Sequence, residues 1–354
     1  MKKTAILHDY MDELGGAEIS LLTLAQQLSI PIYTTNVDKT RIKQLGYGDV
    51  EINSIGAVSC SKHLKQIQTQ LLFHRLKLEG FEKHIYAGSY SIHAAANHKR
   101  NLWFCISPLR GLYDLRYRTC SPLNLPKQAV KEFQILLDKK AVEAVDKIIA
   151  TSKNVQQRIR KTYGRKSTLI YYPLETKKYF YRPHADYWLS VSRIDPYKRI
   201  ELQLEAFRKM PKEKLVVVGG AAENLEGYLR ALEQKAPANV EFIEAVYDKQ
   251  KLTNIYSRCK GLIATAEDED FGITCIEAMA SGKPVIAPNE GGYRETVVSG
   301  ETGVLIDDVS PGKIREAVED LGDTSAYRSE CVRRAEEFDV HVFTEKMRGE
   351  LQLL

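Results

Sequence analysis

The chain has 354 residues, 44% of them apolar and 27% charged, and this length fits two domains of roughly 150 to 180 residues. No apolar run approaches the roughly 18 residues that cross a bilayer, so the composition offers no candidate for a membrane-spanning helix. The formal charge of +5 is unevenly divided, because residues 1–175 hold 26 Lys and Arg against 15 Asp and Glu, whereas the rest holds 25 against 31.

The N-terminal residues "MKKTAILHDY" have two lysines and a short apolar stretch that stops at His8 and Asp9. Without a small-residue cleavage site, this pattern predicts a first strand rather than a signal peptide. The six cysteines are scattered without a CxxC pair or a metal-ligand spacing, which indicates reduced thiols that fill the cores of a cytoplasmic protein. They are Cys60, Cys105, Cys120, Cys259, Cys275 and Cys331.

Strand-like apolar runs alternate with amphipathic segments through the first half of the chain. The predicted strands are "TAILH", "EINSI", "HIYAG", "LWFCIS", "KIIAT" and "STLIYY". Helices are predicted between them, notably over 16–28, 127–144 and 153–163. The stretch "YYPLETKKYFYRP" then brings two prolines and no periodicity, which predicts a linker near 173–183.

The same alternation begins again after the linker. Strands are predicted at "YWLSVS", "KLVVVGG", "VEFIEA", "GLIAT", "PVIAP" and "GVLID", with helices over 199–209, 248–257 and 274–280. The last segment, "VHVFTEKMRGELQLL", is predicted to be helical and to pack on either domain, the N-terminal one being favoured. We therefore expect an N-terminal domain over 1–172, a C-terminal domain over 173–338 and a closing helix over 339–354.

This βα alternation predicts an α/β protein of two doubly wound, Rossmann-like parallel-sheet domains that face each other across a cleft. Ligands of such sheets bind beyond the carboxyl ends of the strands. The cleft between the domains is therefore the expected binding site.

The stretch "EDEDFGITCIE" carries the most informative chemistry. Its "DFG" is not the magnesium-binding tripeptide of a protein kinase, because the chain has no HRD-like catalytic loop or partner lysine strand upstream. Glu269, Gly272 and Glu277 instead lie where a strand turns into a helix that opens at Thr274, and the free amides of such a helix start suit a phosphate. The alternative for Glu277 is a capping box with Thr274.

Two cations follow the first strand of the second half, in "LSVSRIDPYKR". Arg193 and Lys198 are well spaced to hold a diphosphate and to neutralise the charge that grows on a leaving group, or else they are ordinary solvated charges. In the first half, Gly15 and Gly16 let the backbone approach a ligand closely at the start of a helix. Neither this segment nor "VVVGGAAEN" is a GxGxxG motif, and the latter is more simply a tight turn.

These segments together resemble the retaining nucleotide-sugar glycosyltransferases of family 4, which have the GT-B fold. The resemblance spans both halves and rests on "GGAE", "VSRIDPYKR", "LVVVGGA" and "EDFGITCIEAMASGKPVIAPNEGGYRETV". The last segment holds the E-x7-E signature of the family as Glu269 and Glu277. "LWFCISPLRGLYDLRY" is similar to a segment of a mannosyltransferase-like branch.

The resemblance implies a role for each site residue. Glu269 would contact the donor sugar and act in catalysis with Arg193 and Lys198, which would hold the diphosphate. Glu277 would bind the ribose hydroxyls. The remaining residues expected at the donor are Gly15 and Gly16, closing from the N-terminal domain, the segment Phe271, Gly272, Ile273 and Thr274, and Val246 near the base.

The resemblance also implies a reaction without a metal ion, in which arginine and lysine take the place of magnesium. One position departs from the mannosyltransferase-like branch, since Ile106 in "CISP" stands where its relatives carry a histidine. Ser107 or Arg110 would then take over the polar contact on the acceptor side, or the role of the histidine is absent.

The basic first half would attract an anionic membrane, a phosphorylated ligand or a nucleic acid, or is merely a solvated surface. Residues 61–80 place Leu64, Ile67, Leu71 and Leu78 on one helical side. This side either lies on an anionic membrane, bringing a lipid-linked acceptor to the site, or packs on its own sheet. Basic and aromatic residues in "RGLYDLRYR" would grip a phosphate or a sugar ring. Without a recognisable nucleic-acid-binding module, we expect no nucleic-acid partner.

The resemblance therefore implies a cytoplasmic hexosyltransferase, either free or peripheral at the inner face of the membrane. It would move a hexose, mannose being one candidate, from GDP-mannose or a UDP-hexose to a glycan or lipid-linked acceptor, with no cofactor or metal. Two alternatives stay open. One is a sugar-nucleotide epimerase or hydrolase on the same scaffold, and the other is an inactive sugar-binding subunit.

Overall fold

The computed structural model describes residues 3–59, 61–116, 125–222 and 224–354. They form two compact units, one of residues 1–172 and 343–354 and one of residues 173–342. Cys60, Cys120 and the end of the "RGLYDLRYR" segment lie outside the described residues. The other four cysteines are buried free thiols.

The first unit is a parallel sheet of seven strands covered by helices. The strands are β1 Thr4–Leu7, β2 Ile32–Thr34, β3 Ile52–Ser54, β4 Lys83–Tyr86, β5 Asn101–Cys105, β6 Lys147–Ala150 and β7 Thr168–Leu169. The helices are α1 Gly16–Leu28, α2 Lys39–Gln44, α3 Lys62–Arg75, α4 Leu125–Glu143 and α5 Lys153–Tyr163, with a 3-10 helix at Ser91–Asn97. The six strands predicted in this half are confirmed, and β2 was missed.

The central strands of the first unit are buried on both faces, as their continuous apolar sequences require. Ala5, Ile6 and Leu7 of β1 are fully buried, with Ile6 on one side of the sheet and its two neighbours on the other. The last helix of the chain, Val340–Gln352, completes the core on the Ile6 side. There the ring of its Phe343 meets that of Phe104 edge-on, with 5.8 Å between the centroids.

The second unit is a parallel sheet of six strands. They are β8 Trp188–Val191, β9 Leu215–Val218, β10 Val240–Ile243, β11 Leu262–Ile263, β12 Val285–Pro288 and β13 Gly303–Ile306, all predicted from the sequence. The helices are α6 Ile200–Arg208, α7 Glu226–Lys235, α8 Lys249–Arg258, α9 Ile273–Ala280, α10 Tyr293–Thr296, α11 Pro311–Leu321 and α12 Arg328–Glu336, and the closing helix Val340–Gln352 is α13.

Both sheets reverse their strand order at one point. The order is β3-β2-β1-β4-β5-β6-β7 in the first unit and β10-β9-β8-β11-β12-β13 in the second. The chain therefore leaves β1 and β4, and likewise β8 and β11, on opposite sides of a crevice at the carboxyl ends of adjacent strands. We call these two places the first and the second switch point. The predicted pair of doubly wound parallel-sheet domains is confirmed.

Candidate functional site

The second switch point brings together two of the predicted site residues. Lys198 follows β8 and Glu269 follows β11, and the Nζ atom of Lys198 lies 2.5 Å from Oε2 of Glu269. Their side chains are 15% and 21% exposed, so the pair is shielded from bulk water but still open at the surface. Burial works to lower the pKa of Lys198, but the Glu269 carboxylate outweighs it and raises that pKa above its ordinary value. Lys198 is therefore a firmly held positive charge.

Arg199 holds the loops that carry this pair. It adopts a left-handed conformation, with φ of 53°, and its guanidinium donates to the carbonyl oxygens of Thr265 at 2.6 Å and Ala266 at 3.1 Å. It also forms an ion pair with Glu290. In return, the hydroxyl of Thr265 donates to the carbonyl of Lys198 at 2.6 Å. These bonds fix the separation of the two loops. The loops that carry Lys198 and Glu269 are therefore held in place before a ligand binds.

Arg193 lies on the same loop and is exposed, close enough for its charge to act against that of Lys198. Asp195 shapes the turn between them, accepting a hydrogen bond from the backbone amide of Tyr197 at 3.2 Å. The loop after β8 therefore carries two cations at the switch point. This is the arrangement expected for binding an anion such as a diphosphate.

Three glycines let the backbone close around Glu269. Gly272 precedes α9 with a φ of 87°, and a Cβ on it would lie 2.9 Å from the ring of Tyr293. Gly291 and Gly292 pass directly beneath the loop, where a Cβ would lie 2.6 Å from the carbonyl oxygen of Glu269 and 2.4 Å from Cα of Phe271, respectively. The amide of Gly292 donates to that carbonyl of Glu269 at 2.8 Å. Only glycine allows these approaches.

The start of α9 presents backbone rather than side chains. The ring of Phe271 is 2% exposed and packs edge-on against Phe338, with 5.6 Å between the centroids, so this side chain belongs to the core. Ile273 and Thr274 open the helix, where amides have no acceptor within the helix itself. This is consistent with the prediction that backbone groups of 271–274 approach a ligand.

Glu277 does not cap α9, so the capping-box alternative is wrong. The residue before the helix is Gly272, and the Glu277 carboxylate instead accepts hydrogen bonds from the hydroxyls of Tyr179 at 2.8 Å and Tyr256 at 2.7 Å. Burial raises the pKa of Glu277, while both tyrosines work to lower it. Two hydroxyl groups therefore already occupy this carboxylate in the way that sugar hydroxyls would.

Val246 lies farther along the sheet from the Lys198–Glu269 pair. It is half-buried in the loop after β10, the edge strand, and β9 separates that strand from β8. The "VVVGG" segment after β9 packs closely on the neighbouring loop, because a Cβ on Gly219 would lie 1.8 Å from the carbonyl oxygen of Ser192. Helix α7 begins only at Glu226, so the prediction of a tight turn from strand to helix is wrong.

The first switch point is filled by its own backbone. The Asp9 carboxylate, which follows β1, accepts hydrogen bonds from the amides of Ser89, Tyr90 and Ser91, with shortest distances of 2.9, 3.0 and 2.7 Å. A Cβ on Gly88 would lie 2.0 Å from the Asp9 carboxylate. Burial raises the pKa of Asp9, against the lowering effects of His8 and the three amides. Sequence reasoning missed this cluster, although "HDY" and "GSYS" follow two predicted strands.

Glu18 occupies the predicted glycine segment. Its carboxylate accepts the amide hydrogen of Gly15 at 2.8 Å and lies 3.6 Å from Nε2 of His8. Gly15 precedes α1 and Gly16 begins it. The amide of Gly15 is therefore engaged within the first unit.

Ser107 and Arg110, predicted on the acceptor side, are also engaged within the first unit. The Ser107 hydroxyl accepts a hydrogen bond from Arg158 at 3.3 Å, and Nε of Arg110 lies 2.9 Å from Asp114. Ile106, at the position where the resemblance led us to expect a histidine, packs against the apolar core.

Comparison with known proteins agrees with this geometry. Residues 175–338, nearly the whole second unit, match the model of the family described as glycosyl transferases group 1. An uncharacterised glycosyltransferase of Methanocaldococcus jannaschii is 24% identical over 204 residues, which cover 57% of this chain and 56% of that protein. An alpha-1,3/1,6-mannosyltransferase of Dictyostelium discoideum is 36% identical over 154 residues, covering 37% of this chain and 34% of that protein. The chain thus spans about half or less of these relatives.

Similarity to solved structures extends over the whole fold. Anabaena HepE in complex with UDP-glucose superposes with a TM-score of 0.79 at 18% identity, covering 99% of this chain and 100% of that one. A sucrose-phosphate synthase of Thermosynechococcus elongatus has the same TM-score and identity, covering 99% and 98%. These similarities show that the chain shares the fold of those proteins.

Proposed function

We propose that the chain is a glycosyltransferase that uses a nucleoside diphosphate hexose as its donor. One observation carries the proposal: the Lys198–Glu269 pair stands at the second switch point, inside the segment that matches the group 1 family. A cation with a raised pKa beside a carboxylate suits a ligand that has both a diphosphate and a sugar. The complex of HepE with UDP-glucose, a protein of the same fold, also supports this donor class.

The roles of the site residues in this proposal are those that the sequence resemblance implies. Lys198 and Arg193 bind the diphosphate and stabilise the charge that develops as it leaves, and Glu269 binds hydroxyls of the transferred sugar. Glu277, oriented by its two tyrosines, binds the ribose, the backbone of 271–274 approaches the phosphates, and Val246 lies near the base. Charge on the leaving group is thus met by side chains and helix-end amides, without a metal ion.

The finer parts of the proposal come from the sequence resemblance. They are retention of configuration, a donor that is GDP-mannose or a UDP-hexose, and a glycan or lipid-linked acceptor. The mannosyltransferase from Dictyostelium makes mannose one candidate sugar. The roles of Gly15 and Gly16 at the donor, and of Ser107 and Arg110 at the acceptor, stay predictions. The enzyme is proposed to act in the cytoplasm, in peripheral contact with an anionic membrane.

The test is release of nucleoside diphosphate from a panel of GDP-, UDP- and ADP-sugars, with and without glycan and lipid-linked acceptors. We expect one donor to turn over in an acceptor-dependent way, and Lys198→Met to lower kcat about 100-fold. Lys214→Met is the matched control, because Lys214 forms an exposed ion pair with Glu241 at 2.8 Å in the same unit.

Three outcomes would contradict the proposal. Turnover that needs no acceptor would favour the epimerase or hydrolase. Nucleotide binding without turnover of any donor would favour an inactive sugar-binding subunit. Equal activity of Lys198→Met and Lys214→Met would remove Lys198 from the mechanism.

A further inference from the structure

Helix α3 carries its apolar residues on the outside. Leu64, Ile67 and Leu71 are spaced three and four residues apart, which places them on one face, and they are 53%, 49% and 50% exposed. The buried face of the same helix includes Lys65 and Phe73. The sequence-based alternative that the apolar stripe packs on its own sheet is therefore wrong for these three residues, whereas Leu78, predicted on the same side, lies beyond the end of the helix and packs against the core.

Helix α4 also buries charged residues and exposes large apolar ones, and to a greater extent. Its buried residues include the charged Lys131 and Asp138. Its exposed large apolar residues are Leu125, Val130, Phe133 and Leu136, with exposed fractions of 72%, 57%, 60% and 64%. A helix that serves only the core of its own domain has the opposite arrangement.

The buried polar residue of α3 has specific partners. Nζ of Lys65 lies 2.8 Å from both the Asp12 and the Glu13 carboxylates and 4.0 Å from the centre of the Tyr10 ring. Burial works to lower the pKa of Lys65, but the two carboxylates raise it. Through Lys65, the inner face of α3 thus holds the loop that precedes Gly15.

The buried polar residues of α4 hold another loop. Nζ of Lys131 donates to the carbonyl of Gly111 at 2.8 Å. The Asp138 carboxylate accepts hydrogen bonds from Tyr113 at 2.6 Å and Tyr163 at 2.8 Å. Both helices therefore use part of their inner faces to anchor polar loops, while the exposed apolar side chains named above face outward.

The two helices lie on one side of the first unit, because both pack against the 3-10 helix Ser91–Asn97. Nε2 of Gln70 on α3, for example, lies 3.1 Å from Nε2 of His93 on that helix. We call the exposed apolar residues of α3 and α4 the apolar face. An apolar surface of this kind, flanked by polar residues, marks an interaction site.

The charges around the apolar face are predominantly positive. The sequence of α3 contains no Asp or Glu. Arg75, Lys139 and Lys140 are exposed on the two helices, against two exposed glutamates of α4: Glu132, which is paired with Arg116 at 2.6 Å, and Glu143 at its end. The half of the chain that carries both helices, residues 1–175, has 26 Lys and Arg against 15 Asp and Glu. This charge is complementary to an anionic lipid surface.

No helix in the described part of the chain is long and apolar enough to cross a membrane. Large apolar side chains flanked by lysine and arginine instead match a helix that lies in the plane of the headgroups.

We propose that the apolar face of α3 and α4 docks the protein on the surface of an anionic bilayer, with the apolar side chains inserted among the headgroups and the lysines on anionic lipids. This inference specifies the membrane contact included in the proposed function. It is tested without any sugar nucleotide, so its failure would leave the donor chemistry standing.

The experiment is flotation of the full chain with vesicles of phosphatidylcholine alone or mixed equally with phosphatidylglycerol. We expect binding to the mixed vesicles, weakened by salt. The double variant Phe133→Ser/Leu136→Ser should lower the partition coefficient at least about tenfold, because it removes two inserted side chains. Lys139→Glu/Lys140→Glu should lower it at least about tenfold through charge.

Matched controls use the same residue types elsewhere. Phe180→Ser/Leu353→Ser removes an exposed Phe and an exposed Leu, and Lys209→Glu/Lys212→Glu reverses two exposed lysines of the second unit. Both should bind vesicles as the unchanged protein does, and circular dichroism should show that all four variants are folded.

Equal flotation of the apolar-face variants and their controls would overturn the proposal. So would absence of binding to anionic vesicles combined with a dimer, in sedimentation, that Phe133→Ser/Leu136→Ser dissociates. The apolar face would then be an interface between two copies of the chain.

Discussion

The two switch points have the same topology and opposite chemistry. In the first, Asp9 is 7% exposed and its carboxylate accepts hydrogen bonds from three amides of its own unit. In the second, Glu269 is paired with Lys198, both side chains remain partly exposed, and Arg193 stands exposed beside them. One carboxylate thus closes the end of its sheet, whereas the other is paired with a lysine and stays partly exposed. The difference lies in the loops and not in the strand order, so the proposed function depends on the loops.

The largest expected effect is a loss of activity, with little loss of stability, at the second switch point. Glu269→Gln keeps the shape of the side chain but removes its charge, so we expect kcat to fall about 100-fold. Because the pair is partly exposed, the free energy of unfolding should change by less than about 1 kcal/mol. Donor turnover and urea unfolding measure the two quantities. A large loss of stability with full turnover would mean that Glu269 is structural rather than functional.

The first switch point should respond in the opposite way. Asp9→Ala leaves three amides, one buried and two partly buried, without an acceptor, which should lower the free energy of unfolding by about 3 kcal/mol. Urea unfolding measures this loss. An unchanged unfolding midpoint would mean that Asp9 is not structural, and the contrast between the two switch points would disappear.

A third prediction concerns the backbone beneath Glu269. Gly292→Ala places a Cβ 2.4 Å from Cα of Phe271, so we expect a loss of about 2 kcal/mol of stability from the displaced backbone. Gly227→Ala is the control, since a Cβ there meets nothing within 4 Å. Thermal unfolding of both variants is the measurement, and equal midpoints would show that the loop accommodates a side chain.

The smallest effect is pH-dependent and belongs to the first switch point. Burial opposes both charges of the His8–Glu18 pair, yet their attraction raises the pKa of His8 above 6.5, and with the Gly15 amide it lowers the pKa of Glu18 below 4.5. The stabilisation from His8 is complete below pH 6.5, and that from Glu18 is complete above pH 4.5.

Glu18→Gln should therefore cost most between these two pH values, about 1 kcal/mol, and less on either side. Unfolding measured across this range tests the pair. A cost that stays constant with pH would show that the two groups are not coupled.

Much of the fold could be predicted because strand-like apolar runs are local signals. All six strands of the second unit were found this way, whereas β2, which lies between Pro31 and a polar segment, was missed. The site was predicted in part for the same reason. Lys198 and Glu269 each follow a predicted strand, but their contact depends on β8 and β11 being neighbours, which the sheet order decides.

Contacts between distant residues could not be predicted from local patterns. Tyr179 and Tyr256, which donate hydrogen bonds to Glu277, come from separate segments of the chain. Arg199 and Glu290, which form an ion pair, follow two different strands of the second sheet. The direction of the α3 stripe was open for a similar reason. Periodicity shows that Leu64, Ile67 and Leu71 share a face, but the partners of Lys65, more than 50 residues away, decide that this face points outward.

The most direct test of the account is a crystal structure grown with the nucleoside diphosphate of the donor that turns over. We predict phosphate oxygens within about 3 Å of Lys198 Nζ and of the Arg193 guanidinium, with the ribose on Glu277. A nucleotide bound elsewhere, or no nucleotide at a saturating concentration while Lys198 stays on Glu269, would contradict the assignment of the second switch point as the donor site.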